Sequence, residues 1–417
     1  MNHPTVEKYL ARHAEPDTFN ELEGTYSHVV VIPIANEGPL FLETIESLQA
    51  AAKACFAKPL IICVINGRTN APEALAANRA LRSMLCELGP TVTYDPQWST
   101  VSAENCTLLI SARFEDALVF GTKEGVGTAR KIGCDVALQA IRDGHISSPW
   151  IRSTDADVRV GTDYFEDMNS RAAALTLPFT HSQAPESLKL YETSLRYYVL
   201  GLHQAGSPYA FHTVGSTLAI HGEHYAKVRG FPKRLAAEDF YILNKLAKTG
   251  PVVRPKREPL RIRHRESERA PFGTGPAVRK ITETLAQGMN YRLYDPQVFK
   301  RLGHVLDSFG DVVATQSITP LRRVLGGFDP GWQGLERMLA QGCRPEILRR
   351  QLHSHFDAFR TLKWVHYVRD TEFPMIPWQE ALAKADFLPS LKQPALPDPE
   401  SLAVLELDRI NPRQGVV

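Results

Sequence analysis

Two aspartates one residue apart, Asp155 and Asp157, directly follow the stretch Trp150 to Ser153, which we interpret as a β-strand. In open α/β sheets the ligand crevice lies at the carboxyl ends of the strands. Two carboxylates there can hold a divalent cation and leave coordination positions open for phosphate oxygens. An isolated Asp-x-Asp sequence is more often a solvated turn, and it is the strand before this pair that favours a functional site.

A second acidic pair, Glu238 and Asp239, falls in the first turn of a helix that the sequence predicts from about Ala237 to Gly250. The helix dipole and the free N–H groups at this end stabilise ionised carboxylates, so one interpretation is simple helix capping. The other is chemical, because a carboxylate directed into the crevice could take the proton of an acceptor hydroxyl as its oxygen attacks an anomeric carbon. Spacing alone leaves both open.

Two basic segments could contact anions. Residues 123–130 contain two glycines before a predicted helix, whose N-terminus can bind phosphate, and Arg130 could contact a diphosphate or form a surface salt bridge. This segment is neither a Walker loop nor a dinucleotide fingerprint. Residues 261–269 carry four arginines and could close over a diphosphate or an anionic acceptor, with Arg265 at the donor and His264 completing a metal shell. A solvated basic strand and turn is the alternative.

Hydrophobic periodicity predicts the elements that position these residues. Continuous apolar runs are typical of strands buried in a parallel sheet, and the amphipathic stretches between them are typical of helices. Predicted strands cover residues 28–34, 60–65, 107–112, 117–120, 172–179 and 216–220, and predicted helices cover residues 39–55, 75–88, 129–141 and 188–202. The first strand, helix and second strand form a βαβ unit with a right-handed crossover.

Composition limits the class of protein. The 417 residues have a net charge of +2, with 43% hydrophobic and 23% charged residues, as in an ordinary globular protein and without the basic field of a nucleic-acid binder. Six scattered cysteines without a CxxC pair favour buried thiols and a reducing cytoplasm. No apolar run approaches the ~18–20 residues of a membrane span, and the N-terminus lacks a signal-peptide core. We therefore expect a cytoplasmic protein with no membrane span and no nucleic-acid partner.

Taken in order, four segments resemble family 2 of the glycosyltransferases and its GT-A relatives. Residues 30–37 resemble the family's opening strand with Pro-x-x-Asn-Glu, and residues 127–133 resemble its Gly-x-Ala-Arg-Asn-x-Gly helix. Residues 154–157 match its Asp-x-Asp motif, and residues 238–240 match its Glu-Asp motif. The resemblance covers about residues 28 to 265, and the order of the segments is more specific than any one of them.

The resemblance implies a role for each matched residue. Those that border the nucleotide or approach the ribose and diphosphate are Pro33, Glu37, Arg130 and Asp155. Asp157 holds the cation, and His264 looks like the third metal ligand of relatives that make glucosyl- or mannosyl-phosphoglycerate. Asp239 is the base, with Glu238 beside it in the catalytic pair. Asn66 stands where the family usually has a base-contacting Asp, and Lys131 stands where it usually has Asn.

The family resemblance also implies a fold. We expect an α/β protein with a GT-A type, Rossmann-like mixed sheet that is mostly parallel and flanked by helices, followed by a mainly helical C-terminal region. The expected parts are an N-terminal extension (1–27), the GT-A domain (28–270), the helical region (271–385) and a Pro-rich, extended tail (386–417). No Gln-x-x-Arg-Trp sequence and no membrane helix accompany these parts, which implies a non-processive enzyme rather than a polysaccharide synthase.

The expected reaction moves a hexose from a nucleoside diphosphate sugar to a hydroxyl of a soluble small-molecule acceptor, neutral or anionic, with Mg²⁺ or Mn²⁺ at the departing diphosphate. Two alternatives remain. A sugar-1-phosphate nucleotidyltransferase would have a glycine-rich loop with Arg and Lys after the first strand, and residues 35–39 lack it. A non-catalytic protein could have kept only the sugar-nucleotide crevice. The anomeric outcome, the donor and acceptor, and a homo-oligomeric state are left open.

Overall fold

The computed structural model of the chain describes residues 3–16, 19–115, 118–166, 168, 171–182, 184–264, 273–329, 331–388 and 399–410. The strands are β1 His28–Ile34, β2 Pro59–Asn66, β3 Thr91–Thr93, β4 Trp98–Ala103, β5 Cys106–Arg113, β6 Trp150–Ser153, β7 Val158–Arg159, β8 Ala174–Thr176, β9 Phe179–Ser182, β10 Leu218–His221, β11 Val252–Val253, β12 Leu260–Arg263, β13 Arg292–Leu293 and β14 Ile376–Pro377. The helices are α1 Pro4–Arg12, α2 Phe41–Ala54, α3 Pro72–Cys86, α4 Val126–Arg142, α5 Glu186–Gln204, α6 Gly222–Lys227, α7 Glu238–Leu246, α8 Thr274–Ala286, α9 Pro296–Thr315, α10 Thr319–Leu325, α11 Gln333–Ala340, α12 Pro345–His355, α13 Ala358–Thr371, α14 Trp378–Lys384 and α15 Pro399–Ile410.

The chain forms two compact units. The first combines Met1–Ala184 with Thr213–Ala277, and the second combines Pro185–His212 with Val278–Ile410. Helix α5, which lies inside the interval expected for the first domain, is therefore part of the second unit. Among the described residues no helix has the length and apolarity that crossing a membrane would require.

A nine-stranded sheet with the order β11-β8-β10-β6-β1-β2-β5-β4-β3 forms the centre of the first unit. Strands β6, β1, β2 and β5 pair in parallel. Within the described ranges seven of the nine strands run in one direction, and β10 and β4 run in the other. This confirms the α/β class, with a mixed and mostly parallel sheet, that the sequence predicts.

Helix α4 packs directly on the parallel core at Gly133. Strands β1 and β2 are buried along their whole length, as their β-branched sequences predict. A Cβ atom on Gly133 would lie 2.4 Å from Cγ1 of Val31 and 3.1 Å from Cγ2 of Val64. Only a glycine at this position lets the helix approach the two strands so closely, and this contact sets the height of α4 above the sheet.

A buried polar network holds the N-terminal helix α1 against α4. The carboxylate of Asp135 accepts hydrogen bonds from the hydroxyls of Tyr9 (2.6 Å) and Tyr225 (2.8 Å). Lys131, one turn earlier on α4, donates to Asp135 (2.9 Å), to Tyr9 (2.7 Å) and to the carbonyl of His13 (2.9 Å). Burial raises the pKa of Asp135, and the ion pair with Lys131 and the hydrogen bonds offset part of the cost of removing these charges from water.

Two predicted strands differ from the structure. The predicted strand 172–179 is wrong as one element, because β8 belongs to the large sheet and β9 belongs to a three-stranded sheet of order β7-β12-β9. Pro178 separates the two, and a proline has no N–H with which to continue a ladder. The predicted strand 117–120 is also wrong where it is described, since Phe120 forms only an isolated bridge with Arg68. Ala117 lies outside the described residues.

The second unit is mainly helical and contains a buried ion network. Arg196 of α5 donates to Glu192 and, at 2.7 Å, to Glu406 of α15, and His212 lies 2.6 Å from the other oxygen of Glu406. These four side chains are almost completely buried. The expectation of an extended tail is thus wrong for residues 399–410, which are helical. Pro399 occupies the first helical position, where the missing N–H costs nothing.

We expect Gly133→Ala to lower the free energy of unfolding by about 1–3 kcal/mol, because the added methyl overpacks the contact with β1 and β2. Urea denaturation measures this change. The matched control is Gly310→Ala in α9, where a Cβ meets no atom within 4 Å. That change should stabilise the protein by roughly 0.5–1 kcal/mol, since alanine is the better residue in a helix interior. Equal effects at both glycines would contradict the packing described for α4.

Candidate active site

The two aspartates of the Asp-x-Asp motif lie where the parallel core ends. Strand β6 pairs in parallel with β1 and ends at Ser153. The N–H of Thr154 then donates to the carbonyl of Val31 at 3.1 Å, which extends the pairing by one residue. Asp155 and Asp157 therefore follow the carboxyl end of a strand in the middle of the sheet, where open α/β sheets bind their ligands.

The backbone of this loop is held from two sides. The hydroxyl of Thr44 in α2 donates to the carbonyl of Ala156 at 3.0 Å. On the other side the N–H of Arg263 in β12 donates to the carbonyl of Asp157 at 2.9 Å. These bonds fix the backbone that carries both aspartates, while the side chains of Asp155 and Asp157 stay partly exposed.

Arg130 of α4 joins the loop to the second acidic pair. Its Nη2 donates to Oδ1 of Asp155 at 2.6 Å, its Nη1 donates to Oγ of Ser153 at 2.6 Å, and its Nε donates to Oε1 of Glu238 at 3.0 Å. The side chain is only 2% exposed. Burial by itself lowers the pKa of Arg130, but the carboxylates of Asp155 and Glu238 outweigh burial and raise it, so the guanidinium stays charged.

The start of α7 brings the acidic pair to Arg130. The helix begins at Glu238, directly after Ala237, whose φ of +62° lies in the left-handed region. The segment before it packs on the start of α4, where the N–H of Gly127 donates to the carbonyl of Arg234 at 3.1 Å. A Cβ on Gly127 would lie 2.7 Å from the backbone nitrogen of Arg234. Glycine at position 127 thus permits the approach that puts Glu238 within reach of Arg130.

The two carboxyls of the pair have different surroundings. Glu238 is buried and bonded to Arg130, whereas Asp239 is partly exposed and accepts a hydrogen bond from the N–H of Phe240 at 2.7 Å. Burial and then the charge of Glu238 raise the pKa of Asp239 to about 7, against the lowering effects of the Phe240 N–H and of Arg130. A carboxyl with a pKa near neutrality can take up and release a proton under neutral conditions.

His264 directly follows the residue of β12 that bonds the backbone of Asp157. Strand β12 pairs antiparallel with β7, with Ile262 opposite Val158, and the N–H of Arg263 donates to the carbonyl of Asp157. His264 is the next residue along the chain. The Nδ1 atom of His264 is buried and makes no hydrogen bond within the described part of the chain. That Asp157 and His264 bind one cation together stays a prediction from the sequence.

Asp157 and His264 fit a partly open site for a divalent cation. Magnesium at nucleotides is usually held by one or two carboxylates, with phosphate oxygens and water at the other positions. The buried Nδ1 of His264, which makes no hydrogen bond to any described residue, is the candidate for a second ligand atom. No three His, Cys, Asp or Glu side chains form a metal-binding cluster in the described ranges. Two such ligands would leave the rest of the coordination to the substrate and water.

The other residues expected at the nucleotide lie in different surroundings. Pro33 is buried within β1, and Glu37 lies in the partly exposed loop after it. Asn66, at the end of β2, is 3% exposed, and its Nδ2 donates to the carbonyl of Ile34 at 2.8 Å. This amide group thus fastens β2 to β1. Arg265 lies outside the described residues.

Three residues of the site escaped the sequence-based prediction, namely Thr44, Ser153 and Gly215. Thr44 and Ser153 contribute single hydroxyls to neighbouring segments, and a Cβ on Gly215 would lie 2.5 Å from Nη2 of Arg130. None of them stands out in sequence, because a small residue acquires its role only from what folds against it. The position of Ser153 at the end of the strand before the Asp-x-Asp motif was the one available signal.

No model of a known protein family matches this sequence, and no curated protein matches it. Among solved structures, the chain is similar to the mannosyltransferase PcManGT from Pyrobaculum calidifontis in complex with GDP-Man and Mn²⁺. The identity is 15% and the TM-score 0.33, over 86% of this chain and 94% of that one. It is also similar to glucosyl-3-phosphoglycerate synthase from Mycobacterium tuberculosis in complex with Mn²⁺, UDP and glucosyl-3-phosphoglycerate. Here the identity is 13% and the TM-score 0.34, over 70% of this chain and 89% of that one.

We expect the carboxyl of Asp239 to titrate near pH 7 in the metal-free protein. Glu238→Gln should lower this pKa, because the charge of Glu238 is the second-largest cause of the rise. Carboxyl ¹³C NMR measures both values, and Asp239→Asn identifies the signal. An Asp239 pKa below about 5 in the wild-type protein, close to the range of ordinary aspartates, would contradict the arrangement.

The same shift predicts how stability depends on pH. The folded-state pKa of Asp239 lies above its unfolded value, so the native state binds more protons than the unfolded state between about pH 4 and pH 7. The stabilising contribution of this group is complete below that window and is lost as the pH rises through it. Asp239→Asn should therefore flatten the fall in unfolding free energy over this range, measured by denaturation at a series of pH values.

Proposed function

We propose that this chain is a glycosyltransferase that moves a hexose from a nucleoside diphosphate sugar to a hydroxyl of a soluble small-molecule acceptor, without processivity and with Mg²⁺ or Mn²⁺. The proposal rests on one observation, which is that the buried guanidinium of Arg130 joins two acidic segments. Through Arg130 the Asp-x-Asp loop and the start of α7 meet at the carboxyl end of the parallel core. That edge is where a nucleotide would bind in this class of fold.

Asp157 and His264 would hold the cation, and the bound ion would neutralise charge that develops on the departing diphosphate. Glu37, in the loop after β1, and Arg265 are proposed to contact the donor. Pro33 and Asn66 would act by shaping the edge of β1 and β2, since both are buried and Asn66 bonds the backbone of β1. Asp155 would orient the loop, because one of its oxygens is bound to Arg130.

Asp239 is the proposed proton acceptor. Its carboxyl is partly exposed and titrates near neutrality, whereas the neighbouring Glu238 is bound to a buried arginine. As the acceptor oxygen forms its bond to the anomeric carbon, the bond from that carbon to the diphosphate oxygen breaks. The hydroxyl proton passes to the carboxylate of Asp239, and the diphosphate leaves with the electron pair. An inverting reaction needs this base; in a retaining one, Asp239 would position the sugar.

A panel of sugar nucleotides tests the proposal. Thermal shifts with UDP-glucose, UDP-galactose, GDP-mannose and ADP-glucose, with and without Mn²⁺, should identify a donor that stabilises the fold only with the metal. Ligand at about 100 times its Kd stabilises the native state by about 2.7 kcal/mol. Metal-dependent binding without hydrolysis or transfer on any acceptor would favour a non-catalytic binding protein. Formation of a sugar nucleotide from sugar-1-phosphate and nucleoside triphosphate would favour the nucleotidyltransferase.

For the donor found in this way, Asp157→Ala should weaken Mn²⁺-dependent binding on the order of 10-fold or more, because a ligand of the cation is lost. Isothermal titration calorimetry with the nucleoside diphosphate measures the change. The matched control is Asp143→Ala, at the far end of α4, where the carboxylate pairs with Arg142. That variant should bind as the wild type does. Unchanged metal-dependent affinity in Asp157→Ala would exclude its proposed role.

Asp239→Asn should lower kcat by about 10²- to 10⁴-fold and leave binding of the nucleoside diphosphate intact, since a general base contributes to the reaction and not to donor affinity. In the wild type, kcat/KM should rise as the pH rises through about 7, because Asp239 must lose its proton before it can accept another. Steady-state kinetics between pH 5 and 9 measure both. Turnover by Asp239→Asn at the wild-type rate would rule out Asp239 as the base.

A further inference from the structure

The guanidinium of Arg130, which the resemblance placed at the donor diphosphate, is bound by three side chains of the protein. Each of its three nitrogens donates to a different side chain. Two acceptors, Ser153 and Asp155, lie at the end of β6 and in the loop after it, and the third, Glu238, begins α7. With 2% of the side chain exposed, there is almost no surface left for a ligand.

We propose that Arg130 is a positioning residue that fixes the Asp-x-Asp loop relative to the acidic start of α7 without touching the donor. This inference rests on the proposed function and assigns Arg130 a different part in it. The acidic groups concerned, Asp155, Glu238 and Asp239, would repel one another at close range, and the guanidinium lies where it offsets that repulsion. The planar fork then sets the spacing of its acceptors.

Gly215 closes the space around the guanidinium. It begins the 3₁₀ turn before β10, and a Cβ at this position would lie 2.5 Å from Nη2 and 3.0 Å from Cζ of Arg130. The backbone at Gly215 therefore packs directly against the guanidinium and leaves no room there for a larger residue. Gly215→Ala displaces the guanidinium while its charge and its three acceptors stay in the chain, so it tests position separately from charge.

The next residue of α4 provides a matched control. Lys131 is also a buried cation, but its ammonium group bonds Tyr9, Asp135 and the carbonyl of His13, which lie away from the acidic residues of the site. Arg130 and Lys131 thus lie on the same helix, carry the same charge and are similarly buried. They differ in their partners, since Arg130 bonds the acidic residues of the site and Lys131 bonds groups of α1 and α4. Lys131→Met should lower the melting temperature through loss of the contact with α1 and leave the site intact.

Hydrogen exchange gives the readout that does not depend on activity. In Arg130→Lys, which keeps the charge and loses the fork, and in Gly215→Ala, amide exchange should become faster in both residues 154–160 and residues 237–241. In Lys131→Met it should become faster in residues 3–16 instead. Unchanged exchange in the first two segments of both site variants would overturn the positioning role, whether or not the protein proves to be a glycosyltransferase.

Kinetics with the donor found in the panel give the second readout. Arg130→Lys and Gly215→Ala should lower kcat on the order of 100-fold, as expected when reacting groups are displaced by about 1 Å, with KM for the donor changed less than about threefold. Lys131→Met should keep kcat and KM. A large rise in KM at constant kcat, or a complex with UDP or GDP and Mn²⁺ that shows the guanidinium on a phosphate oxygen, would overturn the inference. If wild-type protein neither binds nor turns over any donor, the proposed function fails and exchange alone decides the role of Arg130.

Discussion

A charged guanidinium that is removed from water has to be surrounded by acceptors, and the first unit meets this requirement at Arg130. Burying an unpaired charge costs several kcal/mol. The arginine and its acceptors can therefore be buried only together. Ser153 and Asp155 lie at the end of β6 and in the loop after it, whereas Glu238 begins a helix more than 80 residues later in the chain. One electrostatic constraint therefore joins two distant segments into a single site.

Helix α4 can place the charge of Arg130 at the site because two of its glycines allow close packing. At Gly133 the middle of α4 packs on β1 and β2, and at Gly127 the segment before α7 crosses the first turn of α4. Between these contacts the consecutive residues Arg130 and Lys131 are buried on two different sides, one toward the site and one toward α1. The small residues of α4, which the sequence marks as sites of close packing, thus determine where the charged groups of Arg130 and Lys131 lie.

The sequence predicted the parts of this site that depend on local pattern. Apolar runs locate the central strands. Asp155 is found because it follows a predicted strand, and Asp239 is found because it lies in the first turn of a predicted helix. Which atoms meet Arg130 could not be predicted, because Ser153, Gly215 and Glu238 reach it only through tertiary packing. The same limit explains the errors in the fold. Pro178 divides one apolar run between two sheets. Residues 399–410 looked extended because they belong to a proline-rich stretch, but their one proline, Pro399, is the first residue of the helix, where proline is tolerated.

The neighbouring carboxyls of α7 show how packing gives two similar side chains different chemistry. Both stand in the first turn, where the helix dipole favours negative charge, and by that local measure they should behave alike. Arg130 removes the equivalence, because it binds Glu238, whereas burial and then the charge of Glu238 raise the pKa of Asp239. The carboxyl of Asp239 then holds its proton more tightly than an ordinary aspartate. Burial and the neighbouring charge, which outweigh the lowering effect of Arg130, thus bring the pKa of one of the two acids to about 7.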